Sequence, residues 1–206
     1  TKELMRSAHL EYTKAKLFWL ESILSQRLTS ELSLQISSDS IFITIADSNK
    51  QIEIESSLGC FKSDSTRVPC LEWDYDRGTW NSLIENFLPA PGYSNLEFQL
   101  ITETDSGYKI KYDILGLVYW MLSRQEEVGR TDLDQHGRFP ATSSHAYKHN
   151  YLERPIVDEW LDVLKQVMQR VWPSIQLKKH QLQLKVSHDV EIPSRYIFQN
   201  VYGVLR

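Results

Sequence analysis

Near the end of the chain, two carboxylates one residue apart stand in Ser187-His188-Asp189-Val190-Glu191. They follow a run in which Leu182, Leu184 and Val186 alternate with Gln181, Gln183 and Lys185, the pattern of a strand with one covered face. In α/β architectures, side chains at the carboxyl ends of strands project into the crevice where ligands bind. There one carboxylate can hold a divalent cation while its neighbour takes a proton from the metal-bound water. Acidic pairs after strands also serve as plain loop caps, and the residues alone leave both readings open.

Three further groups carry chemistry by type and spacing. His145 and His149 are four apart, which on a helix sets two imidazoles on one face as zinc sites require. The alternative is a hydrogen-bonded or solvated pair on a single helical turn. Arg124 with Glu126 and Glu127, and Arg138 nearby, make a charged cluster suited either to sugar hydroxyls or phosphate, or to an ion-paired helix end. Trp73 and Trp80, close to Asp74 and Asp76, are the candidate sugar-stacking platform, whereas Trp120 and Trp160 lie on or beside apolar helix stripes and read as core.

The elements that must position these groups follow from periodicity. Leu17, Leu20, Ile23 or Leu24, and Leu28 place a helix over 10–28. The runs 41–45 and 51–55 predict a β-hairpin around Asp47-Ser48-Asn49, and 96–101 with 108–112 a second strand pair around Asp105-Ser106-Gly107. Thr79 caps an expected short helix over 80–87. Asp113 is a natural N-cap for a broad-faced helix over 114–127. Pro155 opens another helix, whose stripe of Ile156, Trp160, Leu164, Val167 or Met168, and Val171 ends at Trp172-Pro173. Arg195 to Arg206 is amphipathic and would be the helix after the strand at 182–186.

The bulk composition excludes several classes. With 206 residues, 41% apolar and 11% aromatic, the chain can bury a core, so disorder throughout is not expected. Charges of both signs are interleaved to a net −4, without the basic aromatic stripe of a nucleic-acid binder. No apolar run reaches the roughly 18 residues of a membrane span, and the N-terminus shows no secretory h-region. Cys60 and Cys70 are too few for a disulfide framework and read as reduced thiols, which sets the expected location as cytoplasmic. Homo-oligomerisation is left open.

The motif 187–191 resembles the first motif of the polysaccharide deacetylase (NodB-like carbohydrate esterase) family in its S/T-H-D-V-D form. The stretches Tyr112 to Gly116, Met121 to Glu127, His136 to Ala141 and Glu153 to Trp160 resemble, in order, the region preceding that motif in one bacterial branch. What the resemblance implies is an α/β chain in two parts. Residues 1–178 would be an N-terminal accessory domain, a mixed sheet packed with helices, and 179–206 would begin the deacetylase-like (β/α) barrel. It implies hydrolysis of an N- or O-acetyl group on a carbohydrate substrate in bacterial surface polysaccharide biosynthesis, with zinc as the expected divalent metal. Asp189 would be the general base, with Glu191 and His188 as metal ligands. Glu191 departs from the family's Asp and is one methylene longer. The family's remaining ligands, two His four apart, an Arg and a late His, come further along the barrel. The expectation is therefore that these 206 residues do not complete the metal site. The alternative function is a non-catalytic module that docks a glycan or a partner, with Trp73, Trp80, Arg124 and Arg138 as candidate contacts.

Overall fold

The computed structural model describes residues 12–28, 31–56, 60–61, 68–74, 80–81, 83–84, 87–97, 99–178, 181 and 183–189. The predicted hairpin is there as β2 (Ser40–Ile45) and β3 (Gln51–Glu55), and β1 (Leu32–Ser37) precedes it. Period-two alternation puts Ile41, Ile43, Ile52 and Ile54 on one fully buried face, while Glu53 stays partly exposed on the other. β6 (Ile101–Thr104) and β7 (Gly107–Ile110) complete a five-stranded sheet in the order β1-β2-β3-β7-β6. Only the β3–β7 pair is parallel. Across it, Lys109 Nζ donates to Glu53 Oε1 over 2.8 Å, and Ser40 Oγ donates to the same oxygen over 2.8 Å.

Two places in this sheet need explanation. At β1, the backbone N–H of Leu34 donates to Glu21 Oε1 (2.7 Å), so a helix side chain occupies an otherwise open edge position. At the tight Asp105–Gly107 turn, Gly107 has φ +146°, and an added Cβ would stand 2.1 Å from the Gln51 carbonyl oxygen. Only glycine permits β7 to start that close to β3.

Four α-helices are described: α1 (Lys14–Ser25), α2 (Ile114–Leu122), α3 (His145–Lys148) and α4 (Ile156–Val171). Thr13 caps α1 by accepting from Lys16 N, and Asp113 caps α2 by accepting from Gly116 N. α4 lies against β3, β7 and α2, while α1 lies against β1 and α2. A second, two-stranded sheet, β4 (Cys70–Asp74) with β5 (Phe87–Pro91), also packs on α4.

Trp160 is the centre of this packing. Its ring stacks on Tyr112 (4.2 Å between centroids) and on Trp73 (5.4 Å), and Tyr112 continues to Tyr93 (4.9 Å). Trp160 Nε1 donates to the Pro89 carbonyl (2.8 Å) and the Tyr112 hydroxyl to the Pro91 carbonyl (2.9 Å). At the start of β5, the buried Glu159 is forked by Arg154 (2.6 and 3.2 Å), which also donates to the Phe87 carbonyl (2.9 Å).

Several expectations need correction. Trp80, Asn81, Leu83 and Ile84 are non-helical, and Phe87 already belongs to β5. The reason is tertiary: Gln166 of α4 accepts from Asn81 N and donates to Asn81 O (both 2.9 Å), taking the carbonyl that the first turn of a helix would have used. The helix expected to reach residue 127 stops at Leu122, because Arg124 turns left-handed (φ +53°) before a 3-10 turn over Gln125–Glu127. The second strand pair starts at Ile101, later than the pattern suggests. Residues 183–189, where alternation predicts a strand, pair with no described strand, and Leu184 and Val186 stand 86% and 74% exposed. The mixed sheet packed with helices is as expected. No closed barrel is seen among the described residues, and the helix expected over 195–206 lies outside them.

Gly107→Ala should cost more than about 1 kcal/mol, whereas Gly129→Ala, also at positive φ (+74°) but in open space, should cost less. Glu159→Ala should cost about 3–5 kcal/mol by removing the buried carboxylate that compensates the part-buried Arg154 guanidinium. Urea unfolding midpoints of the three variants check both expectations.

Candidate functional site

His188 and Asp189 lie beyond the last bridge of the folded body, the Leu28–Leu177 pair reinforced by Lys178 N donating to the Arg27 carbonyl (3.0 Å). Both are exposed. Glu191 lies outside the described residues, so the pairing of the two carboxylates is not part of this geometry. Zinc takes four ligands, and two described donors do not supply them. No group of three or more His, Cys, Asp or Glu suited to a metal ion occurs among the described residues.

The other predicted contacts fall in two places. Trp73 and Trp80 lie against α4. Trp73 is only 8% exposed, and its ring face is covered by Trp160, so it acts as core rather than as a sugar platform. Trp80 is half-buried, with the Arg170 guanidinium 3.8 Å over its ring and Tyr108 edge-on at 6.1 Å. Arg124 and Arg138 lie on the connection that follows α2. Arg124 is exposed and forked onto Glu127 (2.6 Å for both bonds), the ion-paired helix end that was one of its two readings. Arg138 sits on a turn organised by Asp134, whose Oδ1 accepts from the backbone N–H groups of His136 (2.8 Å) and Arg138 (2.9 Å). This turn and the Arg130–Asp132 fork beside it give the loop fixed shape without regular structure. Arg130 holds the Asp132 carboxyl well below the usual range.

The histidine pair resolves differently from a metal site. Ser144 caps α3, and His145 is fully buried with both ring nitrogens engaged, by the Tyr151 hydroxyl (2.5 Å) and the Val68 carbonyl (3.0 Å). Neither nitrogen is left to bind an ion. The His149 ring lies tilted against that of His145, 4.2 Å between centroids. Burial holds His145 down to about 4 and pushes Tyr151 up, so both are neutral near pH 7. Sequence spacing could find the pair, but no local signal pointed to Val68, which is 77 residues away.

One concavity was not anticipated. A cleft of about 580 Å³ runs along α4, floored by Leu161, Leu164 and Met168 and walled by Leu24, Leu83 and Leu177. Its rim carries Arg27, ion-paired with Asp158, and Lys165, ion-paired with Asp162. Such a lining can take an apolar body with a polar margin. Leu177 and Lys178, where the chain leaves the body, form part of its wall.

No helix among the described residues is long and apolar enough to cross a membrane. No curated protein and no solved structure matches the chain. Residues 5–173, most of its length, match DUF7033, a family of unknown function, and the chain belongs to that family.

Proposed function

We propose that this chain is the leading part of a metal-dependent carbohydrate deacetylase acting in bacterial surface polysaccharide biosynthesis. In this reading residues 1–178 are the accessory domain and 179–206 begin the catalytic barrel. The observation that carries it is the placement of the acidic motif. The buried ionisable groups Asp113, His145 and Glu159 are all bonded within the body, whereas His188 and Asp189 stand exposed beyond its last bridge. The family match also ends at residue 173, close to that bridge, so the motif falls outside the matched stretch.

Asp189 is assigned as the general base that takes a proton from the attacking water, with His188 and Glu191 beside it as ligands. A bound divalent ion would polarise the acetyl carbonyl and acidify that water. The donors in hand do not complete such a site, so no step is drawn through the ion.

A second reading makes the body a non-catalytic glycan- or partner-binding module. The cleft along α4 favours it, because it is concave, largely apolar and placed at the chain's exit.

Acetate release from acetylated oligosaccharides, measured on the intact gene product with zinc, tests the first reading. Asp189→Asn should lower kcat about 10²–10⁴-fold with little change in KM, the usual contribution of a general base. Arg124→Ala, which removes an exposed ion pair with Glu127, should leave the rate within a factor of two. An Asp189→Asn protein as active as the parent would end the assignment. Absence of acetate release, with saturable binding of the same oligosaccharides that Leu83→Asp abolishes, would favour the module instead.

A further inference from the structure

His145 joins three separate parts of the molecule through one imidazole. Its Nε2 faces the Val68 carbonyl, and a carbonyl only accepts, so Nε2 carries the hydrogen. Nδ1 is therefore bare and accepts from the Tyr151 hydroxyl. The geometry selects the neutral Nε2–H tautomer. The ring also lies tilted against His149 (4.2 Å, 34°) and stands edge-on to Trp120 of α2 (5.3 Å, 84°). It thus ties the Val68–Pro69 run that leads into β4 to the 144–151 turn and to α2.

We propose that His145 is a pH-operated latch, which in its neutral form holds the Val68–Pro69 run onto the body and when protonated releases it. Protonation puts a second N–H on the ring, facing Tyr151. That buried hydroxyl must then turn its own hydrogen away from the bond it now makes. The added charge sits in a fully buried place beside His149, and Lys148 repels it as well. Opposing these are the Val68 and Pro69 carbonyls, which favour a charged ring but do not outweigh its burial, and Glu126 of the 3-10 turn, whose Oε2 accepts the His145 backbone N–H (2.9 Å) and which has Arg130 and Lys148 nearby. Cys70 of β4, close to Tyr151, is pushed up to about 12 by burial and carries no charge here. Trp120, on the α2 side, has none to offer.

The sign follows from the depressed affinity of His145 for a proton. The latch is intact above the ordinary histidine value near 6.5 and weakens as pH falls towards about 4, by up to tenfold per unit. Burial raises Glu126, which favours its neutral form when folded and so stabilises the closed state on acidification. The two effects oppose each other, and Glu126→Gln removes the second. This latch is independent of the deacetylase reading.

Nitrogen-15 NMR of the whole chain between pH 7.5 and 4 tests it. The His145 ring should show the Nε2–H tautomer at pH 7. The Gly92 amide, which donates to the Pro69 carbonyl (2.8 Å), reports directly on the released run. Its protection, corrected for intrinsic exchange, should fall by up to tenfold per pH unit below about 6 while the β2–β3 amides keep theirs. Tyr151→Phe keeps the ring in place but removes the donor to Nδ1, and should move the release about one unit higher in pH. Glu126→Gln should make the fall steeper. Gly92 protection unchanged down to pH 4, or a His145 that titrates near 6.5 without affecting it, would overturn the latch. Loss of β2–β3 protection at the same pH would do so too, since that is general acid unfolding.

Discussion

The Trp160 indole is the point on which the fold turns. It stacks between Tyr112 and Trp73, and with Tyr112 it sends a hydrogen bond to each of two proline carbonyls in β5. Prolines in a strand cannot donate to a ladder, so β5 is a poor strand by propensity and depends on its carbonyls being held elsewhere. The helix supplies what the ladder cannot. Large aromatic area and a buried polar tip act together here, and that fixes the small sheet onto α4 beside the large one.

Buried polar groups complete the frame, each bonded by partners distant in sequence. Asp113 caps α2 while its Oδ1 accepts from the Tyr12 hydroxyl 101 residues away, tying α1 to α2. Glu159 and Arg154 close the start of β5. His145 joins the 144–151 turn to the lead-in of β4. Burying a polar group costs several kcal/mol unless its partners are in place, so these nodes define one arrangement of the elements. The buried ionisable groups Asp113, His145 and Glu159 are thus spent on architecture, while His188 and Asp189 stand exposed beyond the body's last bridge.

Much of the local structure was legible in the sequence. β-Branched and aromatic content in 41–45 and alternation in 51–55 marked β2 and β3, Asp113 and Pro155 marked the starts of α2 and α4, and Trp120 and Trp160 read correctly as core. The misses share one cause. Around residues 80–87 the composition is helical, but Asn81 is bonded to Gln166 of α4, and Trp73 looked like a platform but stacks on a residue 87 positions later. β1 was overlooked because Leu32, Leu34 and Ile36 alternate with polar residues on an edge strand that is mostly exposed. The candidate site was legible only as a motif, and its body-side surroundings were not.

By itself the sequence determined the α/β class, the starts of α2 at Asp113 and α4 at Pro155, the β2–β3 hairpin and the presence of an acidic motif after an alternating run, because each is a local property of neighbouring residues. Tertiary structure alone decided that β3 and β7 run parallel, that the His145/His149 pair is a core hydrogen-bonded node rather than an ion-binding one, and that a cleft forms along α4. Those outcomes depend on which distant groups arrive at a given donor or face. Local patterning carries no record of partners 50 to 100 residues away.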